Sequence, residues 1–113
     1  MTMNNFLIRI YDEVGGDSAI SVEDGEKLFT KIDQAFSQNL SVTLDFQNIN
    51  LIITAFLNAA IGQLYSKYTS EQLNQNLKLE NIKPEDVRLF KIVIERAKEY
   101  FKNPNDFEDN LKG

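Results

Sequence analysis

The chain contains no cysteine and no histidine, and these two absences remove much of the catalytic repertoire at once. They exclude Ser-His and Cys-His nucleophile arrangements, zinc sites with nitrogen or sulfur ligands, a histidine general base and any disulfide. Positive charge is also scarce, with 12 Lys and Arg against 17 Asp and Glu for a net charge of −5. The basic residues are scattered. Towards the C-terminus Lys91, Arg96, Lys98 and Lys102 are interleaved with Glu85, Asp86, Glu95 and Glu99, as on a solvated mixed-charge face, so the clustered cations that neutralise nucleic-acid phosphates are missing. No apolar run approaches the roughly 20 residues a membrane helix requires. Neither of the usual glycine-rich phosphate loops is present, since Gly15-Gly16 precedes acidic and polar residues rather than a helix-opening cradle. The adjacent pairs Glu23-Asp24, Glu85-Asp86 and Glu108-Asp109 point in different directions and match no calcium loop. The resulting expectation is a protein that is not an enzyme and has no metal site, cofactor, nucleic-acid partner or membrane span. The opening "MTMNNFLIRIYDE" lacks the basic segment and long apolar stretch of a secretory signal, so the expected location is cytoplasmic.

What is present reads as one domain with alternating strands and helices. A chain of 113 residues is long enough to bury roughly two thirds of its unfolded surface. "FLIRIY" at residues 6–11 has strand composition and ends at Asp12 and the Gly15-Gly16 turn, and Ala19-Ile20 suggests a short second strand. Ser21 followed by Asp24 resembles a capping box and predicts a helix from about Val22, buried through Leu28, Phe29, Ile32, Ala35 and Phe36. Gly25 lies in its first turn, where glycine costs about 1 kcal/mol relative to alanine, and close backbone packing is the reason it suggests. "LSVTLDF" at residues 40–46 follows as a strand and "QNINLI" as a loop. From about Ala55 to Tyr68 a helix carries two adjacent stripes, Phe56, Ala60, Leu64 and Leu57, Ile61, Tyr65, an apolar arc wide enough for burial on two sides or for a partner on the second. "TSEQLNQN" reads as a polar connection with at most a helical turn, and "LKLEN" as a strand. Pro84 with Glu85 and Asp86 then opens a last helix, buried through Val87, Phe90, Val93, Ile94, Ala97 and Phe101 and stopped at Asn103-Pro104. The domain is expected over residues 1–103, with residues 104–113 as an acidic tail.

The segment "VTLDFQNINLIITAFLNAAIGQLY" resembles the central part of a STAS-like domain family of unknown function found in bacterial proteins. There, a strand ending in Leu-Asp-Phe leads through a loop to a serine-rich helix start, a phenylalanine and, six residues on, a glycine. Leu44-Asp45-Phe46, Thr54, Phe56 and Gly62 match these positions. "DSAISVEDGEKL" is similar to the family's stretch before its first helix, and "LKLENIKPEDVRLF" to its last strand and helix, so the resemblance spans residues 6–101. It implies an α/β fold, a small mixed sheet of about four strands with three helices mainly on one face. It also implies a regulatory protein-interaction module rather than an enzyme.

A more distant similarity is to anti-sigma-factor antagonists, which carry a phosphorylatable serine at the start of the helix after a central strand. Thr54 lies at that position, with Ile53 where the antagonists have aspartate, Ala55 where both families usually have serine, and Asn58-Ala59 in place of a frequent acidic pair. The implied partner is an ATP-binding kinase-like or anti-sigma-type regulator, contacted through Asp45, Ile53, Thr54, Ala55, Phe56 and Asn58. Phosphorylation would add about −1.5 to −2 charge at a helix start, enough to repel an acidic partner or disrupt a close-fitting one. Thr54 has a plainer reading as a helix N-cap that accepts an N–H from Leu57 or a neighbour. Asp45 likewise has a plain reading, in which it points out of the sheet or accepts loop N–H bonds, beside one in which it helps shape the recognition surface. The alternative class is a structural or homodimeric subunit joined through Leu57, Ile61 and Tyr65.

Overall fold

The computed structural model describes residues 4–102, so the expected tail at 104–113 lies outside the described residues. The elements in order are strand β1 (Asn5–Arg9), helix α1 (Ile10–Val14), strand β2 (Ser18–Ala19), helix α2 (Val22–Ser37), strand β3 (Ser41–Asp45), strand β4 (Leu51–Ile52) and helix α3 (Thr54–Ala60). A 3-10 helix (Gly62–Ser66), helix α4 (Ser70–Asn76), strand β5 (Leu77–Glu80) and helix α5 (Pro84–Lys102) follow.

β3 is the centre of a three-stranded parallel sheet in the order β1-β3-β5, with Phe6 opposite Val42, Ile8 opposite Leu44, and Val42 and Leu44 opposite Leu77 and Leu79. Because side chains alternate along a strand, these residues share one face. All of them belong to or pack on the core with Leu28, Ile32, Phe56, Leu57, Ile61 and Leu64. The other face carries Asn5, Leu7 and Arg9 on β1 and Lys78 and Glu80 on β5, all exposed. Both crossovers, β1 to β3 and β3 to β5, step in the same direction, and right-handed connections then lay their helices on the same side. The core face is therefore covered, and the opposite face is left open along β1 and β5 and is polar there apart from Leu7.

The expected mixed sheet of about four strands is corrected: the described residues form five strands in two separate sheets, with every pairing among them parallel. The second sheet is β2 with β4, with Ser18 opposite Leu51 and Ala19 opposite Ile52. β4 occupies part of the segment expected as a loop; a strand of two residues exists through its long-range pairing and leaves no alternating pattern to read. Among the described residues the helices number five rather than three, besides the 3-10 helix. α1 takes over the end of the expected first strand and closes on Gly15 in the left-handed conformation at φ 74°, the ordinary glycine C-cap. α4 replaces the polar connection. Thr69 accepts from the Gln72 backbone N–H while the Gln72 side chain accepts from the Thr69 N–H, a full capping box that roots the helix above buried Leu73. The long helix expected from Ala55 to Tyr68 breaks at Ile61 into α3 and the 3-10 helix.

Two expectations about α2 hold in atomic detail. Ser21 Oγ accepts the Asp24 backbone N–H at 2.9 Å, and Gly25 sits where α2 touches α3. A methyl group on Gly25 would lie 2.6 Å from the Phe56 carbonyl oxygen and 2.8 Å from Ala59 Cβ. Phe46 packs edge-on against Phe90 with ring centroids 4.9 Å apart, joining the end of β3 to α5. No helix among the described residues is long and apolar enough to cross a membrane.

Candidate functional site

Since β1 and β3 run parallel, α2 and α3 both begin beyond the carboxyl ends of strands, the end at which open α/β sheets place their binding sites. β2 and β4 lie between those strand ends and the helix starts. Their inward residues, Ala19 and Ile52, are buried, while Ile20, Leu51 and Ile53 are 45%, 51% and 37% exposed and Val22, the first residue of α2, is 48% exposed. These four exposed apolar side chains lie in or next to the first turns of α2 and α3.

Between the two helices runs an open groove of ≈ 650 Å³, lined by Val22, Glu26, Phe29 and Thr30 on one side and by Ala55, Asn58, Ala59 and Gln63 on the other. Gly25 lets the two helix backbones meet beside Ala59, and the α3 side of the groove carries the small residues Ala55 and Ala59.

Thr54 is not the helix cap. Ile53 occupies that position with extended backbone (φ −122°, ψ 159°), no side chain caps the helix, and the Leu57 N–H donates to the Ile53 carbonyl at 3.3 Å. The Thr54 side chain is exposed in the first turn, one residue past the position where a hydroxyl caps. Of the residues expected to meet a partner, Ile53, Thr54 and Asn58 are exposed and Ala55 is half-buried, all on this turn of α3 or its edge. Phe56 is 0% exposed, so it supports the surface from beneath and is corrected to a core residue.

Asp45 is held elsewhere. Its Oδ1 accepts the Gln47 backbone N–H at 2.9 Å and the Asn81 side-chain amide at 2.8 Å, which pins the turn after β3 to the residue following β5. The Asn81 bond first and the Gln47 N–H second stabilise the ionised form and lower its pKa below the usual carboxylate value. Both oxygen bonds serve the loop, as the plainer reading had it. Beside it, Asp17 accepts from the Asn50 amide at 3.0 Å and Lys83 donates to Asn50 at 2.7 Å, so the polar groups at this strand end are largely spent on one another.

The apolar arc of α3 is also accounted for within the chain. Leu57 and Ile61 are 0% and 1% exposed and Tyr65 is half-buried, because α2 covers one flank and α5 the other. Leu57 and Ile61, two of the three residues named for the alternative of a homodimer, thus belong to the chain's own core, and Tyr65 is half-buried. The groove residues Val22, Glu26, Phe29 and Gln63 were not singled out from sequence as a site; Gly25 was the available signal, since a glycine explained by close packing marks where a second helix lies.

Among the described residues no cluster of three or more metal-ligating side chains occurs. A family model described as a STAS-like domain of unknown function (DUF4325) matches residues 24–87, from the first turn of α2 to the first turn of α5, and so includes β3, the α2–α3 contact and the exposed start of α3. The match begins after β1, α1 and β2, so it is narrower than the resemblance drawn from motifs. No curated protein and no solved structure matches the chain. With more than half of its length matched, including the start of α3 and every groove residue but Val22, the chain belongs to the family of STAS-like domains of unknown function.

Proposed function

We propose that the protein is a non-enzymatic regulatory module that binds a protein partner through the start of α3, with Thr54 as the place where the interaction is switched. The observation that carries this reading is the exposed Thr54 hydroxyl, free of capping duty, between exposed Ile53 and the groove residues Ala55 and Asn58. A hydroxyl that stabilises the helix would be occupied; this one is accessible to a kinase, and phosphate there adds about −1.5 to −2 charge beside a helix N-terminus that tolerates it. By resemblance to anti-sigma-factor antagonists the partner is an ATP-binding kinase-like or anti-sigma-type regulator. The absence of histidine and cysteine from the sequence supports the non-enzymatic reading.

The test is affinity capture from the native cell with the wild-type chain, Ile53→Asp and Thr54→Glu. Ile53→Asp places a good capping side chain at the N-cap, so loss of a captured protein reports the surface and not the fold. A protein held by the wild type, lost with Ile53→Asp and altered at least tenfold in retention with Thr54→Glu is the expected result. Equal retention by all three chains overturns the reading, and equal retention by Thr54→Glu alone overturns the switch.

A further inference from the structure

We infer that the groove between α2 and α3 receives an amphipathic helix from the partner, with apolar side chains on its buried face and lysine or arginine along its flank. This rests on the interaction reading and specifies the partner's chemistry. The apolar side chains lining the groove are Val22 and Phe29 on α2 and the small Ala55 and Ala59 on α3, beside the polar Glu26, Thr30, Asn58 and Gln63. Residues four apart on each helix line it, Val22 with Glu26 and Ala55 with Ala59, so its walls are two helical ridges of the kind into which a third helix packs. A small polar ligand has little to hold it: among the described residues no buried side-chain nitrogen or oxygen lacks a partner, so no convergent, waiting polar group marks a ligand.

Charge selects among helices. Among the described residues Glu26 is the only acidic or basic one lining the groove; it is exposed and takes part in none of the ion pairs among them. Lys27, the nearest cation in sequence, is paired with Glu23 at 3.7 Å. A helix flanked by lysine or arginine meets Glu26 favourably, and one flanked by glutamate meets it with repulsion. A second copy of the chain is disfavoured, since each copy carries a net charge of −5 and an isologous contact opposes like surfaces. Thr54 stands one helical turn before Asn58, which lines the groove, so negative charge at Thr54 strengthens attraction for the basic flank. The switch at this site therefore tightens binding.

The experiment titrates the isotope-labelled full chain, observed by NMR, with two synthetic helical peptides that share a leucine face and carry either lysine or glutamate on the flank. The expected result is that the leucine/lysine peptide shifts the resonances of Val22, Glu26, Phe29, Ala55 and Ala59 first and the leucine/glutamate peptide binds at least tenfold more weakly. Glu26→Gln should weaken the first peptide about threefold, the size of one exposed ion pair, Ala55→Leu should block it by filling the groove, and Thr54→Glu should tighten it. Shifts centred on the open sheet face at Leu7, Arg9 and Lys78, equal binding of both peptides, or indifference to Ala55→Leu would overturn the inference. So would concentration-dependent broadening of the groove resonances without peptide, which would assign the groove to a second copy. If the peptide maps to the groove while capture ignores Ile53→Asp, the interaction reading fails and the groove assignment stands; if capture depends on Ile53 while the peptide maps elsewhere, the reverse holds.

Discussion

Replacing Gly25 with alanine tests the packing on which the whole site depends. The added methyl carbon would stand 2.6 Å from the Phe56 carbonyl oxygen, about 0.7 Å closer than a carbon and a carbonyl oxygen normally approach, and 2.8 Å from Ala59 Cβ. Neither neighbour can give way easily. The carbonyl belongs to the backbone of α3, and that helix is held on its other sides by Phe56, Leu57, Ala60 and Ile61, none more than 1% exposed. Overpacking of this kind costs about 1–3 kcal/mol, while alanine in place of glycine inside a helix returns about 1 kcal/mol. Because the clash at 2.6 Å is with a backbone carbonyl, the cost belongs at the upper end of that range, and the net expectation is a destabilisation of about 2 kcal/mol. For a domain of this size it should appear as a fall in Tm of about 5–15 °C. Urea unfolding followed by circular dichroism measures it, with Glu26→Ala on the same turn as a control expected within about 0.5 kcal/mol of wild type, since that side chain is exposed. A Gly25→Ala chain as stable as wild type, or more stable, would show that the helix-propensity gain wins and that α2 and α3 do not cross at this glycine.

The two threonines at helix starts should behave oppositely: Thr69→Ala removes a capping box and should cost about 1 kcal/mol, whereas Thr54→Ala should stay within about 0.5 kcal/mol of wild type. An equal loss at Thr54 in urea unfolding would mean that its hydroxyl caps α3 after all. Stability should also fall at both ends of the pH scale through one strap, in which the Tyr68 hydroxyl and Lys67 bond the Asp33 carboxylate. The Tyr68 bond, then Lys67, lowers the Asp33 pKa, so its contribution is present above the unfolded value near 4 and is lost as pH falls through the lower folded value. Burial first and then Asp33 raise the Tyr68 pKa to about 12, so this part is complete below the unfolded value of about 10 and is lost as pH rises through about 12. Tyr68→Phe should shrink the loss of stability between neutral and strongly alkaline pH, leaving the share of Tyr65, whose pKa burial also raises; an unchanged alkaline loss would remove Tyr68 as its source.

Much of the fold is legible because its elements carry local signals. Ser21 with Asp24, the apolar spacing of Leu28, Ile32 and Ala35, and Pro84 ahead of Glu85 and Asp86 each announce a helix whose start the structure places where the residues say. Thr69 with Gln72 carries a capping-box signal of the same kind, though the polar residues around it leave only Leu73 to show burial. The site is less legible. Thr54 and Ile53 are correctly brought to one turn by their adjacency, but which of the two caps the helix depends on where the chain leaves β4, and that follows from its pairing with β2.

By itself, then, the sequence determines the alternation of strands and helices, the exclusion of histidine and cysteine chemistry, and the demand for close packing at Gly25, because each is a property of the chain within a few residues. Only the tertiary structure decides that every strand pairing is parallel, that Leu57 and Ile61 face the chain's own core and that Phe56 lies beneath the surface. It alone joins Val22 and Glu26 to Ala55 and Ala59 across a groove. Those outcomes depend on contacts between segments some thirty residues apart, and the apolar arc of α3 reads the same whether its second face is covered by a partner or, as here, by α2 and α5.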